Sequence, residues 1–157
     1  MIDRISAAVN RGVEGLLFVL GLSMSLVVAA QVFSRYVLNH SIFWSEELAR
    51  HFLVWLTFLG ATVAYRRGAH PGVDVLYRRL PPGFRRACRI VVHLCAIGFF
   101  GAMVGHGFRF AWFVRHQITP AMGLPNWMVL GIIPLSGLVF LLHGVFFLVA
   151  ELRGGTP

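Results

Sequence analysis

The sequence predicts an all-α integral membrane protein with four transmembrane helices, both termini on the cytoplasmic side, and a short amphipathic helix between the second and third spans. Three observations predict this fold: four long apolar runs, arginines concentrated at their ends, and tryptophans placed at one boundary. Only 13% of the 157 residues are charged, against about 25% in soluble domains. The spans leave room only for short connections, so we expect one membrane domain, residues 1–157, and no soluble catalytic domain.

Each apolar run reaches the roughly 20 residues that cross a hydrocarbon core. The predicted spans are Val13–Leu38, Ser45–Tyr65, Ile90–Phe113 and Trp127–Ala150. Val28-Ala29-Ala30 is similar to a signal-peptide cleavage site. Asp3 and Glu14 precede this site, however, and apolar residues continue as far as Val37. We therefore expect the first run to be retained as a transmembrane helix.

The arginines predict the orientation. The connection between the second and third spans holds Arg66, Arg67, Arg78, Arg79, Arg85, Arg86 and Arg89. These are half of the 14 cationic residues, and an arginine-rich short loop stays cytoplasmic. The net charge of +8 is then explained by the membrane and not by nucleic acid. Trp44, Trp112 and Trp127 fall at the opposite, outer boundary, as interfacial tryptophans do.

The cytoplasmic connection has a helical pattern of its own. Its apolar residues recur at helical spacing: Val73, Leu76, Tyr77 and Leu80. This stripe predicts a short helix over about 73–80 that lies on the inner membrane surface. Asp74 can pair with Arg78 four residues later. The residues predicted to anchor this surface helix are Arg66, His70, Asp74, Arg78 and Arg79.

The densest polar cluster lies at the outer start of the second span. Ser45 is a good N-cap, and Glu46 and Glu47 suit the first turn of a helix. Arg50 is within reach of either acid. The cluster is either a capped, self-neutralised helix start or a docking surface for another chain, because charges at membrane depth usually face protein. We expect docking through Arg35, Trp44, Glu46, Glu47 and Arg50.

Small and helix-breaking residues predict the packing. Gly98, Gly101 and Gly105 favour close helix packing, either within this chain or with a partner. Pro134 predicts a kink in the fourth span, and Asn126 is a candidate N-cap for that span. Cys88 and Cys95 lie two helical turns apart, too far for a disulfide, and they have no metal-ligand spacing.

Two alternatives remain open from the residues. The same-depth pairs His93 with His143 and His51 with His106 could ligate b-type haem, as in the membrane anchor of a respiratory enzyme. Glu14 could be the coupling acid of a self-sufficient small multidrug antiporter. The third and fourth spans contain no acid before Glu151. The sequence has no catalytic constellation, so we expect no enzyme, no metal site and no cofactor.

One ordered set of motifs runs from Arg35 to Asp74. It begins with Arg35-Tyr36 and Asn39 and continues with Trp44-Ser45-Glu46-Glu47-Leu48-Ala49-Arg50. It ends with Trp55-Leu56-Thr57-Phe58-Leu59-Gly60-Ala61, followed by His70, Val73 and Asp74. This set resembles the small membrane subunit of tripartite ATP-independent periplasmic (TRAP) transporters, the DctQ-like family. Chain length and the four spans agree with that resemblance.

The resemblance implies a function and partners. A small subunit of this kind pairs with a large multi-span subunit that carries the substrate and sodium sites and moves as an elevator. A periplasmic binding protein delivers an organic acid such as a dicarboxylate. The small subunit enlarges the static scaffold in the bacterial inner membrane and offers part of its outer surface to the binding protein. It does not transport or catalyse by itself.

Overall fold

The computed structural model describes residues 2–68 and 81–153. Its helices are α1 (Ile2–Tyr36), α2 (Ser45–Arg66), α3 (Pro82–Phe113), α4 (Asn126–Leu130) and α5 (Ile132–Leu152). Four stretches in this part of the chain are long and apolar enough to cross a membrane, the last being α4 and α5 together. This confirms the predicted all-α class with four spans. The predicted surface helix over 73–80, with His70, Asp74, Arg78 and Arg79, lies outside the described residues.

Two helices begin earlier than the apolar runs indicate. α1 starts at Ile2 instead of Val13, and α3 starts at Pro82 instead of Ile90. At about 1.5 Å per residue, helices of 35 and 32 residues exceed the ~30 Å hydrocarbon core. Hydropathy marks only the part of a helix that lies in lipid, whereas backbone hydrogen bonds continue it into the arginine-rich interface.

The helix α5 lies at the centre of the described structure. It packs against α3 most extensively and also against α2 and α1, while α1 packs mainly on α2. In the most apolar 18 residues of each span, 39% of the residues are buried in the span formed by α4 and α5, but only 6% in the span of α3. The helices therefore form an open arrangement in which α3 occupies one edge, and not a closed four-helix bundle.

Glycines and one tyrosine shape the contacts of α5. A Cβ at Gly137 would lie 2.8 Å from the Val104 side chain, and one at Gly107 would lie 3.0 Å from Pro134. The two helices can approach this closely because these positions carry no side chain. Tyr65 of α2 contacts three phenylalanine rings edge-on, with centroid distances of 5.2 to 5.7 Å, at Phe100, Phe140 and Phe147.

The fourth span is interrupted at Gly131, three residues before the predicted kink at Pro134. A proline has no N–H to donate to the carbonyl four residues earlier, so the helical ladder is already broken in the preceding turn. The indole N–H of Trp55 donates to the Val129 carbonyl at 3.2 Å. α2 therefore supplies a hydrogen bond to the backbone beside the interruption.

Candidate docking site at the outer end of the helices

The end of the helices that the sequence predicts to face outward, called the outer end below, brings together the last turn of α1, the first turn of α2 and the connection 114–125. A buried polar contact joins α1 to α2 there. The Ser45 Oγ lies 2.5 Å from Gln31 Oε1 and 2.6 Å from the Ile42 carbonyl oxygen, and Ser45 is only 2% exposed. The prediction of Ser45 as an N-cap is wrong, because Trp44 precedes the helix without a side-chain cap. The Ser45 hydroxyl bonds across to α1 instead.

Glu47 ties α2 to the connection between α3 and α4. Its carboxylate accepts hydrogen bonds from the backbone N–H groups of Ala121 at 2.8 Å and Met122 at 3.2 Å. The connection also has a hydrogen bond of its own: the Thr119 N–H donates to the Leu124 carbonyl at 2.8 Å, and Gly123 adopts a φ of +65°. The segment is therefore an ordered loop whose backbone N–H groups bind the Glu47 carboxylate.

Asn126 ends this loop and does not cap α4 with its side chain, contrary to the prediction. Its backbone N–H donates to the Gln117 carbonyl at 2.8 Å, and its side-chain amide reaches Gln117 Oε1 at 3.5 Å. The N-cap position is taken by Pro125, which has no N–H to satisfy. Asn126 therefore joins the end of the loop to Gln117 near its beginning.

The other charged residues of the cluster lie at the surface. Arg35 Nη1 contacts Glu46 Oε1 at 3.4 Å, and the two side chains are 57% and 61% exposed. Arg50 is exposed and forms no ion pair within the described ranges. The ion pair that the spacing allows for Arg50 is not formed within the described ranges, and Arg35 and the outer loop bind the two carboxylates instead. Trp44 is 41% exposed.

A buried polar network at the opposite end was not predicted. Ser6 Oγ lies 2.8 Å from His143 Nδ1, and the Arg66 guanidinium donates to the same oxygen. The Ser6 hydroxyl therefore joins α1 to both α2 and α5. Ser6 and His143 are both fully buried. Pairing of residues 137 positions apart has no signal in a single sequence.

Two acids of the described residues at this end are also paired. Glu14 Oε1 lies 2.7 Å from Arg67 Nη2 and accepts from Asn10 Nδ2 at 2.8 Å. Glu151, with a side chain only 5% exposed, lies 2.8 Å from Arg89 Nη2. Each carboxylate thus joins two helices: Glu14 links α1 to the end of α2, and Glu151 links α5 to the start of α3.

The predicted glycine contacts lie on an outward face. Gly98, Gly101 and Gly105 are exposed, and a Cβ built at each would meet nothing within 4 Å. These three glycines therefore do not pack against another helix within the described part of the chain. The close α3–α5 approach uses Gly107 and Gly137 instead. Sequence spacing cannot choose among 17 glycines, because each helix face depends on its neighbours.

The four histidines of the haem alternative differ in their contacts and in their exposure. The His143 Nδ1 is engaged by Ser6, and His93 stacks on Phe147 with a centroid distance of 6.0 Å. His106 is exposed, whereas His51 lines a small apolar hollow beside Trp55. Within residues 2–68 and 81–153, no group of three His, Cys, Asp or Glu side chains could hold a metal ion. Cys88 and Cys95 are both free.

Comparisons with known proteins point to one family. Residues 24–154 match the family described as tripartite ATP-independent periplasmic transporters, DctQ component. The chain is 30% identical over 146 residues to the ectoine TRAP transporter small permease protein TeaB of Halomonas elongata, covering 91% of this chain and 74% of TeaB. It is 35% identical over 82 residues to a putative TRAP transporter small permease protein of Haemophilus influenzae, covering 52% and 51%.

A third relative is a larger protein. The isethionate TRAP transporter permease protein DctMQ of Oleidesulfovibrio alaskensis is 26% identical over 98 residues. The match covers 59% of this chain but only 15% of that relative. The region similar to this chain is therefore a small part of a much longer permease polypeptide.

Proposed function

Because the chain belongs to the DctQ family, the small permease subunits of TRAP transporters, we propose that it is the static scaffold on which a large permease subunit moves. The observation that carries the proposal is the family match over 24–154, which includes parts of all four apolar spans. The relatives are transporter permease subunits and not enzymes. The family and the four spans make this a multi-pass inner-membrane protein.

In this proposal the large subunit carries the substrate and sodium sites and moves as an elevator, while a periplasmic binding protein delivers an organic acid. The DctMQ relative supports the partnership, because there a region similar to this chain belongs to a longer permease polypeptide. The names of the relatives support an anionic or zwitterionic solute, since they mention ectoine, isethionate and C4-dicarboxylates.

We place both termini in the cytoplasm. The start of α1 contacts the end of α2 and the middle of α5 through Ser6, Arg66 and His143, and the start of α3 contacts the end of α5 through Arg89 and Glu151. All these ends therefore share one side of the molecule. This side carries most of the arginines, which the positive-inside rule assigns to the cytoplasm. The outer polar cluster then faces the periplasm.

The outer polar cluster is proposed as the docking surface for the large subunit or the binding protein. Arg35, Glu46, Arg50 and Trp44 are exposed there. A charge left facing lipid costs about 2.5–3.5 kcal/mol on insertion scales, so such groups usually face protein or water. Glu47 acts indirectly in this proposal, because its carboxylate holds the loop that borders the surface.

The outward face of α3 is proposed as a second contact with the large subunit. α3 has the lowest buried fraction of the described spans. Gly98, Gly101 and Gly105 leave its backbone open to a neighbour. A helix of the large subunit could approach α3 as closely as α5 does on the opposite face.

The test is co-purification with the large subunit after co-expression. Glu46→Ala combined with Glu47→Ala should weaken assembly and uptake. Glu46→Ala alone separates direct docking from loop ordering, because Glu46 has no bond to the loop in the described structure. Glu14→Ala is the control at the opposite end and should leave assembly intact. Normal co-purification and normal uptake by the double variant would remove the outer cluster from the interface.

The comparisons favour neither alternative function. A haem-binding anchor predicts a Soret band with split α and β bands in the purified protein. A self-sufficient antiporter predicts transport by this chain alone. We expect neither result.

A further inference from the structure

An open apolar groove of about 460 Å³ lies at the outer end, between α3 and the interrupted fourth span. This volume is in the range of about 300–1,000 Å³ that is typical of small-molecule sites. Nearly all of its surface is carbon. The lining residues used below are Ala111, Trp112, Arg115, Trp127 and Gly131. Two of these lining residues, Ala111 and Gly131, are small, and the helix is interrupted at Gly131.

One cation is held at the groove. The Arg115 guanidinium lies over the Trp112 ring, 4.2 Å from its centroid, and Nη1 donates to the Trp112 carbonyl at 2.9 Å. A guanidinium has five N–H donors, and no carboxylate of the described residues pairs with it. The cation is therefore positioned by a ring and a carbonyl, and its other donors can bind an anion.

The surroundings of the groove identify the anion. Trp112 and Trp127 are 69% and 45% exposed, and tryptophans at helix ends mark the level of lipid headgroups. A phospholipid offers at this level a phosphate for the guanidinium and an acyl chain for the apolar groove. The acyl chain is already in hydrocarbon, so the groove adds packing contacts and the Arg115–phosphate bond adds most of the selectivity.

We propose that this groove is a phospholipid-binding site, with the phosphate on Arg115 and one acyl chain lying along Ala111 and Gly131 between the two tryptophans. The site requires a chain that spans the membrane, but it does not require the scaffold function proposed above. A bound lipid there would fill the space that the interruption at Gly131 leaves between α3 and the fourth span.

The test measures phospholipid retained by the full chain after purification in detergent, by native mass spectrometry and by phosphate analysis of extracted lipid. The wild-type chain should keep about one phospholipid. Arg115→Gln should reduce retention about tenfold, because one charge-assisted contact is lost. Ala111→Leu should do the same by filling the groove. Arg109→Gln and Ala102→Leu change exposed α3 residues outside the groove and should retain lipid like the wild type.

Three results would overturn the proposal. The first is a wild-type chain that retains no phospholipid, and the second is equal retention by Arg115→Gln and the wild type. The third is loss of the lipid when the large subunit is co-purified, which would assign the groove to that subunit. Arg115→Gln keeps the test decisive if Ala111→Leu does not fold. Assembly with the large subunit is scored separately, so either proposal can fail without the other.

Discussion

Two adjacent acids of the outer cluster have different environments. Glu47 binds two backbone N–H groups of the loop, whereas Glu46 forms an exposed ion pair with Arg35. Exposed ion pairs contribute little to stability because water and salt screen them. Glu47 is therefore a structural residue of this chain, and Glu46 is free to serve a partner.

This difference predicts the protease sensitivity of the outer loop. Glu47→Ala leaves the N–H groups of Ala121 and Met122 without their carboxylate, so the loop should open more often. Limited trypsin digestion should then cut after Arg115 severalfold faster than in the wild type. Glu46→Ala is the matched control and should be cut at the wild-type rate. Equal rates for both variants would show that Glu47 does not hold the loop.

Ser6 is a second residue whose side chain joins helices, because its hydroxyl connects Arg66 to His143. Ser6→Ala should lower the free energy of unfolding by about 1–2 kcal/mol, since the buried His143 ring nitrogen and Arg66 both lose this hydrogen-bond partner. Ser25→Ala on the same helix removes an exposed hydroxyl that bonds only to the Gly21 carbonyl, and it should change little. Thermal unfolding in detergent measures both. Equal shifts would contradict the network.

At the level of the helices, the length of each apolar run determines where the chain spans the membrane. Contacts with other helices determine where each helix ends. The interrupted fourth span illustrates this, because Trp55 of α2 donates to the Val129 carbonyl beside the interruption. Gly131, where the helix is interrupted, also lines the groove. The helix interruption near Pro134 therefore lies beside both the contact with α2 and the groove that faces α3.

Trp55→Phe keeps the ring but removes the N–H donor. We expect it to lower stability by about 1 kcal/mol, because the Val129 carbonyl loses a hydrogen bond. Trp44→Phe changes an indole that is 41% exposed and makes no hydrogen bond in the described part of the chain, so it serves as the control. Chemical unfolding in mixed micelles compares the two. A Trp55→Phe variant as stable as the control would exclude the contact.

The sequence was sufficient for the four spans, because apolar length is a local property of Val13–Leu38 and its counterparts. It was also sufficient for the family, through the motifs between Arg35 and Asp74. It was insufficient wherever a side chain chooses between neighbours. Ser45 fits an N-cap by local rules but bonds to Gln31, and Gly101 fits a packing motif but faces outward. Both choices depend on helices that are distant in sequence.

At the scale of the whole molecule, the open arrangement leaves α3 covered on one side only. A subunit that functions alone would be expected to close its helices around a polar path, whereas here the paired acids Glu14 and Glu151 lie at one end. The uncovered face of α3 fits a protein that is completed by another chain. A partner on that face would cover the span in which only 6% of the most apolar stretch is buried within this chain.

Two glycine substitutions on this scale separate assembly from folding. Gly101→Leu should leave the chain folded, because no atom lies within 4 Å of the added Cβ, but it should abolish co-purification with the large subunit. Gly137→Leu should prevent folding, since its Cβ would lie 2.8 Å from Val104. Gel filtration monitors folding, and affinity capture monitors assembly. Full assembly of Gly101→Leu would place the interface elsewhere.

As a scaffold, this chain should move no solute by itself. The most direct test reconstitutes the purified chain alone in liposomes and measures the fluxes of protons, sodium, labelled succinate and labelled ectoine. We expect fluxes equal to those of empty liposomes, with uptake only after the large subunit and the binding protein are added. Flux of any of these solutes or ions through liposomes that contain this chain alone would contradict it.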